Sequence, residues 1–213
     1  VRVNTSDELF DALETLTTIK PMRGERLAIV GNGAGPNALA VSRLLSQRGK
    51  LAALSPETES ELQALLPNFW NRCNPVDLNA DATAERFSSA ARILAKDPNV
   101  DAVLVIHAPT RLAPSSACAE AIIAMAKETR RNILTCWMGR STAIAARNLF
   151  NEAKIPTFIT PEKAADAFMH MVEFRRNQEV MKQTPAAMNL HENKHGRRRA
   201  SEMVTQAWNQ GRD

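Results

Sequence analysis

Short apolar runs alternate along this chain with longer stretches whose apolar residues recur every three or four positions. A bounded apolar run reads as a buried strand, and the longer period reads as an amphipathic helix. Strands are predicted over 27–30, 50–54, 75–78, 100–107, 132–137 and 157–159. Helices are predicted over 36–47, 57–66, 83–96, 115–129 and 142–153, and from the Thr160-Pro161-Glu162 cap to about Lys182. The segment from Val100 to His107 is the strongest strand, and its nearly unbroken apolar character suits the centre of a sheet covered on both faces. Strand–helix order with crossovers of roughly ten or more residues requires parallel pairing. The fold class is therefore α/β, a doubly wound parallel sheet of flavodoxin-like order. Ahead of it stands another helix. Thr5 caps it, Leu9, Phe10, Leu13 and Leu16 recur at helical spacing, and Pro21 and Gly24 end it.

This order divides the chain into an N-terminal helix and connection (1–25), the flavodoxin-like domain with its long last helix (26–185) and a basic linker (186–213). The linker is polar and weakly periodic, with a short helix predicted over 200–208. Net charge is +4 over 213 residues, and half of the excess lies beyond Pro185. There Lys194, Arg197, Arg198, Arg199 and Arg212 stand against three acidic residues. The cluster is short and carries no interleaved aromatics, so a solvated linker is expected and no nucleic-acid partner. No apolar run approaches the roughly 20 residues of a membrane span, so no membrane partner is expected. Cys73, Cys118 and Cys136 are odd in number and lack metal-ligand spacing. They read as reduced thiols of a cytoplasmic protein, with no metal site. Val1-Arg-Val reads as a strand end, so the chain is expected to be a piece of a longer protein.

The candidate chemistry sits in Gly31-Asn-Gly-Ala-Gly-Pro36, between the first strand and its helix. That order aims backbone N–H groups and the positive end of a helix at one point, which suits a phosphate or carboxylate. Asn32, Gly33, Ala34 and Gly35 are the candidate anion-binding residues, with Asn74 and Asp77 placed beside them. The dinucleotide pattern fails: its third glycine falls at Pro36, and no acidic residue follows the second strand to hold a ribose. The chain has no Tyr, and no aromatic near the loops to sandwich a flavin. Two plainer accounts stand beside the anion site. The glycines let the strand turn tightly, and Asp81 or Thr83 caps the helix that follows. His107 has no Ser, Cys or carboxylate beside it in sequence to make it a nucleophile or base, so a structural role is expected. His170, between Met169 and Met171, reads as packing, and His191 and His195 lie in the linker. No residue is assigned a catalytic role.

The glycine turn, Leu51-Ala-Ala-Leu-Ser-Pro-Glu-Thr58, Asn74-Pro-Val-Asp-Leu78, Asp81-Ala82 and Asp101-Ala-Val-Leu-Val-Ile106 follow one another in a set order. That order resembles the succinyl-CoA-ligase-like flavodoxin domain of the NDP-forming acyl-CoA synthetases, over residues 1–185. Further phrases (Glu8-Leu-Phe-Asp-Ala12, Arg23-Gly-Glu-Arg-Leu27, Val105-Ile-His-Ala-Pro109 and the stretch from Ala167 to Gln178) are similar to the Pat-type bacterial protein lysine acetyltransferases. The resemblance implies a multidomain protein with a CoA-binding domain, two flavodoxin-like domains, an ATP-grasp domain and, in the Pat type, an acetyltransferase domain. This chain would be the second flavodoxin-like domain and the linker toward the ATP-grasp part. Its partners would be those other domains, with protein substrates reached through the acetyltransferase domain. Acetyl-CoA and ATP are implied for the full-length protein, and no cofactor for this fragment.

In ligases of this kind a helix start after such a turn faces a phosphohistidine supplied by the preceding domain. The resemblance therefore assigns that role to none of His107, His170, His191 or His195. Related synthetases often read Asn-Ala-Gly-Gly-Pro-Gly at the turn and Gly-Asp-Ala after the Asn-Pro motif. This chain reads Asn32-Gly-Ala-Gly-Pro-Asn37 and Asn79-Ala-Asp-Ala82. These departures favour a regulatory or scaffold domain of a lysine acetyltransferase, inactive by itself. The alternatives are a phosphate-facing domain of an active acid–CoA ligase and a purely structural interdomain module.

Overall fold

A computed structural model describes residue 3 and residues 5–66, 70–183 and 194–211. Residues 1–178 and 179–213 form two compact units. In the first, helix α1 (Ser6–Thr18) leads into strand β1 (Arg26–Gly31). Then follow α2 (Ala34–Ser46), β2 (Lys50–Leu51), α3 (Pro56–Leu65), β3 (Val76–Asp77), α4 (Ala84–Lys96) and β4 (Ala102–His107). The series ends with α5 (Ser115–Glu128), β5 (Asn132–Trp137), α6 (Ser141–Glu152), β6 (Thr157–Phe158) and α7 (Pro161–Lys182), whose last turn runs past residue 178. All six strands pair in parallel, in the order β2-β1-β4-β5-β6, with β3 also on β1.

Strand alternation sorts the core into two layers. Ala28, Val30, Val103 and Val105 face one side with Leu62, Phe87, Leu94, Ile122 and Phe150, which come from α3, α4, α5 and α6. Leu27, Ile29, Leu104 and Ile106 face the other with Leu44 of α2 and Phe168 and Met171 of α7. The central strands are buried along both faces, as a parallel sheet requires.

The edge beside β1 is shared. Strand β2 pairs with Arg26 and Leu27, and β3 pairs with Val30 and Gly31. Counted as one position, the two give the flavodoxin-like order. Asn74 fills the gap between them: its Oδ1 accepts from Ile29 N at 2.9 Å, and its Nδ2 donates to Leu27 O at 2.8 Å and Ala52 O at 3.0 Å. A side-chain amide thus completes a backbone ladder that would otherwise break. Asn74→Ala leaves the Ile29 N–H and the Ala52 carbonyl without these partners. It is expected to cost about 2 kcal/mol in urea unfolding. A loss below about 0.5 kcal/mol would show that water replaces the bridge.

Polar clamps hold α1 and the segment after it to the sheet and to α7. Asn132 receives the Lys20 N–H at 2.8 Å and returns a bond to the Lys20 carbonyl at 2.9 Å, and Lys163 pairs with Asp11 at 3.1 Å. The apolar positions Leu9, Phe10 and Leu13 are exposed, while Ala12 and Thr15 are buried. In the second unit, α8 (Lys194–Asn209) is longer than the helix predicted over 200–208 and exposes Met203, Val204 and Trp208. His191 and the start of the predicted linker lie outside the described residues. Among the described residues no helix is long and apolar enough to cross a membrane.

Candidate functional site at the end of the first strand

The order of strands reverses between β1 and β4, and open α/β sheets bind ligands in the crevice at the carboxyl ends of such strands. The glycine turn lies at that point. Gly31 closes β1 under close contact: a Cβ there would stand 2.7 Å from the Ile106 carbonyl oxygen and also run into Asn37 Oδ1. Only glycine fits between strand and helix. Asn32 is buried and does not face outward. Its Nδ2 donates to the Ala108 carbonyl at 2.8 Å, and its Oδ1 accepts from Ala108 N at 2.7 Å. This pair locks the turn to the loop after β4.

Helix α2 begins at Ala34, two residues before the predicted start, so Gly35 falls in its first turn. Gly33 is the N-cap, in extended backbone, and no side chain caps it. The first helical bond runs from Asn37 N to the Gly33 carbonyl at 3.2 Å. Helix geometry gives the N–H groups of Gly33, Ala34 and Gly35 no acceptor within the helix, and Pro36 has none to offer. Ala34 and Gly35 are exposed. A Cβ built on Gly35 meets nothing within 4 Å. The helix dipole adds positive potential at the same place, with no acidic residue in the first turn to cancel it.

The predicted residues therefore divide by role. Gly33, Ala34 and Gly35 present backbone donors. The Asn32 and Asn74 amides are spent on the backbone, and Asp77 Oδ1 accepts from Asn79 N at 2.9 Å. Asn79 holds a left-handed φ of 64°, a conformation Asn tolerates better than most residues. Its carbonyl accepts from Ala82 N at 3.1 Å, so the loop after β3 turns tightly without the glycine of related synthetases. Thr83, not Asp81, caps α4, its hydroxyl accepting from Arg86 N at 3.2 Å. Asp81 pairs with Arg86 at 2.9 Å.

A second feature on the same edge has no motif that announces it. A hollow of about 410 Å³ lies between the ends of β4 and β5, lined by His107, Thr110, Arg111, Ser115 and Thr142. Helices α5 and α6 start beside it, and neither has a side-chain cap. Ser115 Oγ is buried without a partner. The consecutive serines at the start of α5 were the available signal, but the hollow depends on how three loops meet.

His107 forms the floor. It is fully buried, stacks on Trp137 at 4.9 Å and approaches the Ala113 carbonyl through Nε2 at 3.0 Å. A carbonyl only accepts, so Nε2 carries the proton and the buried Nδ1 is left without a partner. Burial pushes the imidazole pKa down, so the ring is neutral. The unfolded chain takes up this proton near pH 6.5, and the folded chain resists it. Stability from this site is full above that value, falls as pH drops below it, and levels off beneath the depressed folded pKa. The stability difference between pH 7 and pH 5, measured by urea unfolding, is expected to be smaller in His107→Gln than in wild type. An unchanged difference would contradict a buried neutral imidazole. Burial likewise raises the thiol pKa of Cys118 to about 11 and that of Cys136 further, while Cys73 is exposed. Among the described residues no His, Cys, Asp and Glu cluster is arranged to hold a metal.

A profile of the Ligase-CoA domain matches residues 27–170. The chain belongs to the Ligase-CoA domain family. It is 33% identical over 167 residues to an ADP-forming acetate–CoA ligase I of Archaeoglobus fulgidus, covering 78% of this chain and 23% of that one. It is 33% identical over 179 residues to the alpha subunit of an ADP-forming acetate–CoA ligase II of Pyrococcus furiosus, covering 82% and 39%. A solved structure from Pyrococcus horikoshii superposes with a TM-score of 0.78 at 31% identity, over 82% of this chain and 41% of that one. An acetyl-coenzyme A synthetase 1 of Ca. Korarchaeum cryptofilum, described as dinucleotide forming and solved with phosphate and ADP, gives a TM-score of 0.81 over 87% and 40%. Its identity is 22%, which shows the fold alone. This Ligase-CoA domain thus spans well under half the length of these relatives. The two relatives at 33% identity are ADP-forming acetate–CoA ligases, and they back the ligase alternative over the lysine-acetyltransferase reading.

Proposed function

We propose that this chain is the Ligase-CoA domain of a longer acid–CoA ligase that forms ADP, and that the start of α2 faces a phosphoryl group in transit. The uncapped, exposed α2 start at the strand-order reversal carries this reading. Joining an acid to CoA at the expense of ATP, with ADP released, moves a phosphoryl group, and negative charge must be stabilised along its way. The N–H groups of Gly33, Ala34 and Gly35 are fixed by the strand, the turn and the Asn32–Ala108 clamp, so they need not reorganise when the charge arrives. ATP and acetyl-CoA belong to the full-length protein, and no residue of this chain is assigned to either. The other domains or subunits of that protein are its partners.

A second reading, a regulatory domain of a lysine acetyltransferase, rests on the departures of this chain from related synthetases. Asn37, where related synthetases often have glycine, is buried beneath the turn with its Oδ1 unpartnered. The two readings separate in one assay of the longer protein. A ligase converts acetate, CoA and ATP to acetyl-CoA, ADP and inorganic phosphate, whereas an acetyltransferase moves acetyl from acetyl-CoA to lysine without forming ADP. We expect ADP-linked ligation, and no activity of either kind in the 213-residue chain alone. Lysine transfer without ADP formation by the longer protein would overturn the ligase reading.

A further inference from the structure

The opposite edge of the sheet, at the amino ends of β5 and β6, holds a hollow of about 220 Å³ that plays no part in the phosphate site. Part of its wall is apolar, made by Ile19 after α1, Ile123 of α5, Ile133 of β5, Ile155 ahead of β6 and Met171 of α7, and the rest is polar. Ile133 and Met171 are buried, so the floor is fixed by the core. The Asn132–Lys20 clamp lies on its wall and holds the end of α1 in place. Two further lysines line it. Lys127 comes from the last turn of α5, and Lys154 follows the end of α6. Both are exposed, and neither ammonium has a hydrogen-bond or ion-pair partner among the described residues. Lys154 stands at a φ of 57°, a conformation glycine adopts at lower cost, with Ile155 N bonded to the Phe150 carbonyl at 3.0 Å. No carboxylate of a described residue lines the hollow.

A cavity with one apolar side, unpaired cations and no acid has the complement of an amphipathic anion. Lysines at helix ends also balance the helix dipoles, but that role does not require apolar walls between them. We infer that this hollow binds a carboxylate with an apolar tail, the carboxylate meeting Lys127 and Lys154 and the tail entering between Ile123, Ile133 and Met171. At roughly 30 Å³ for each water-sized group, the volume suits a tail of about six to eight carbons.

Octanoate is the probe, titrated into the 213-residue chain and followed by NMR of isoleucine and methionine methyl groups. The expected result is saturable movement of the Ile123, Ile133, Ile155 and Met171 methyls with a Kd near or below about 1 mM. Octanol has the same tail without the charge and is expected to bind at least about tenfold more weakly. The doubly substituted Lys127→Ala, Lys154→Ala chain is expected to lose octanoate affinity by a similar factor, while its free methyl spectrum reports an intact fold. The inference is overturned if octanoate moves none of these methyls at about 10 mM. It is also overturned if octanol binds as tightly as octanoate, or if the lysine-free chain binds octanoate unchanged.

Discussion

Gly35→Asp is expected to lower acid–CoA ligation by the longer protein by about 100-fold or more while leaving the domain folded. The position separates the two effects well. A side chain on Gly35 has open space within 4 Å, so nothing must move to admit one. A carboxylate in the first turn of α2 also meets the positive end of the helix and is expected to raise stability by about 0.3–1 kcal/mol. The same carboxylate occupies the potential that would draw a phosphoryl group and repels it directly. Gly35→Ala adds bulk without charge and is expected to retain most activity. An Asp variant as active as wild type would show that no anion visits this turn during the reaction.

Gly31→Ala is expected to fail in the opposite way. Its Cβ would enter the space of the Ile106 carbonyl and Asn37 Oδ1, and the carbonyl is part of the β4 backbone. Strand β1 pairs with β4 on this side and with β3 on the other, so it cannot move aside. Overpacking of this kind commonly costs 1–3 kcal/mol, and with backbone on the receiving side we expect about 3 kcal/mol or more. Chemical denaturation would measure it. A loss below about 1 kcal/mol would mean that the turn relaxes and that the close contact is not what requires glycine.

These two glycines show what could be read from the chain. The apolar run of β1 ending in Gly31-Asn-Gly-Ala-Gly-Pro36 marked a strand, a tight turn and a helix start, because strand and helix periods differ locally. Parallel pairing followed from the crossover lengths. The split edge did not follow. Residues 50–54 read as one strand, but the ladder stops after Leu51 because Asn74 takes over the bonding of β1, a contact between residues far apart in sequence. Asn32 was drawn into the anion site by its place in the turn, yet Ala108 claims its amide. Periodicity located a stripe on α1 without its direction: Leu9, Phe10 and Leu13 are exposed while Ala12 and Thr15 are buried. Propensity and spacing report the backbone, whereas the partner of a polar side chain is decided by the packing of remote segments.

The central claim is that the open start of α2 holds a phosphate. Its most direct test is amide NMR of the isotopically labelled chain titrated with inorganic phosphate and, separately, with ADP. Saturable shifts at Gly33, Ala34 and Gly35, lost in the Gly35→Asp chain, are predicted for phosphate. Unmoved amides at those three residues, with phosphate at saturating concentration or bound elsewhere on the domain, would contradict the claim.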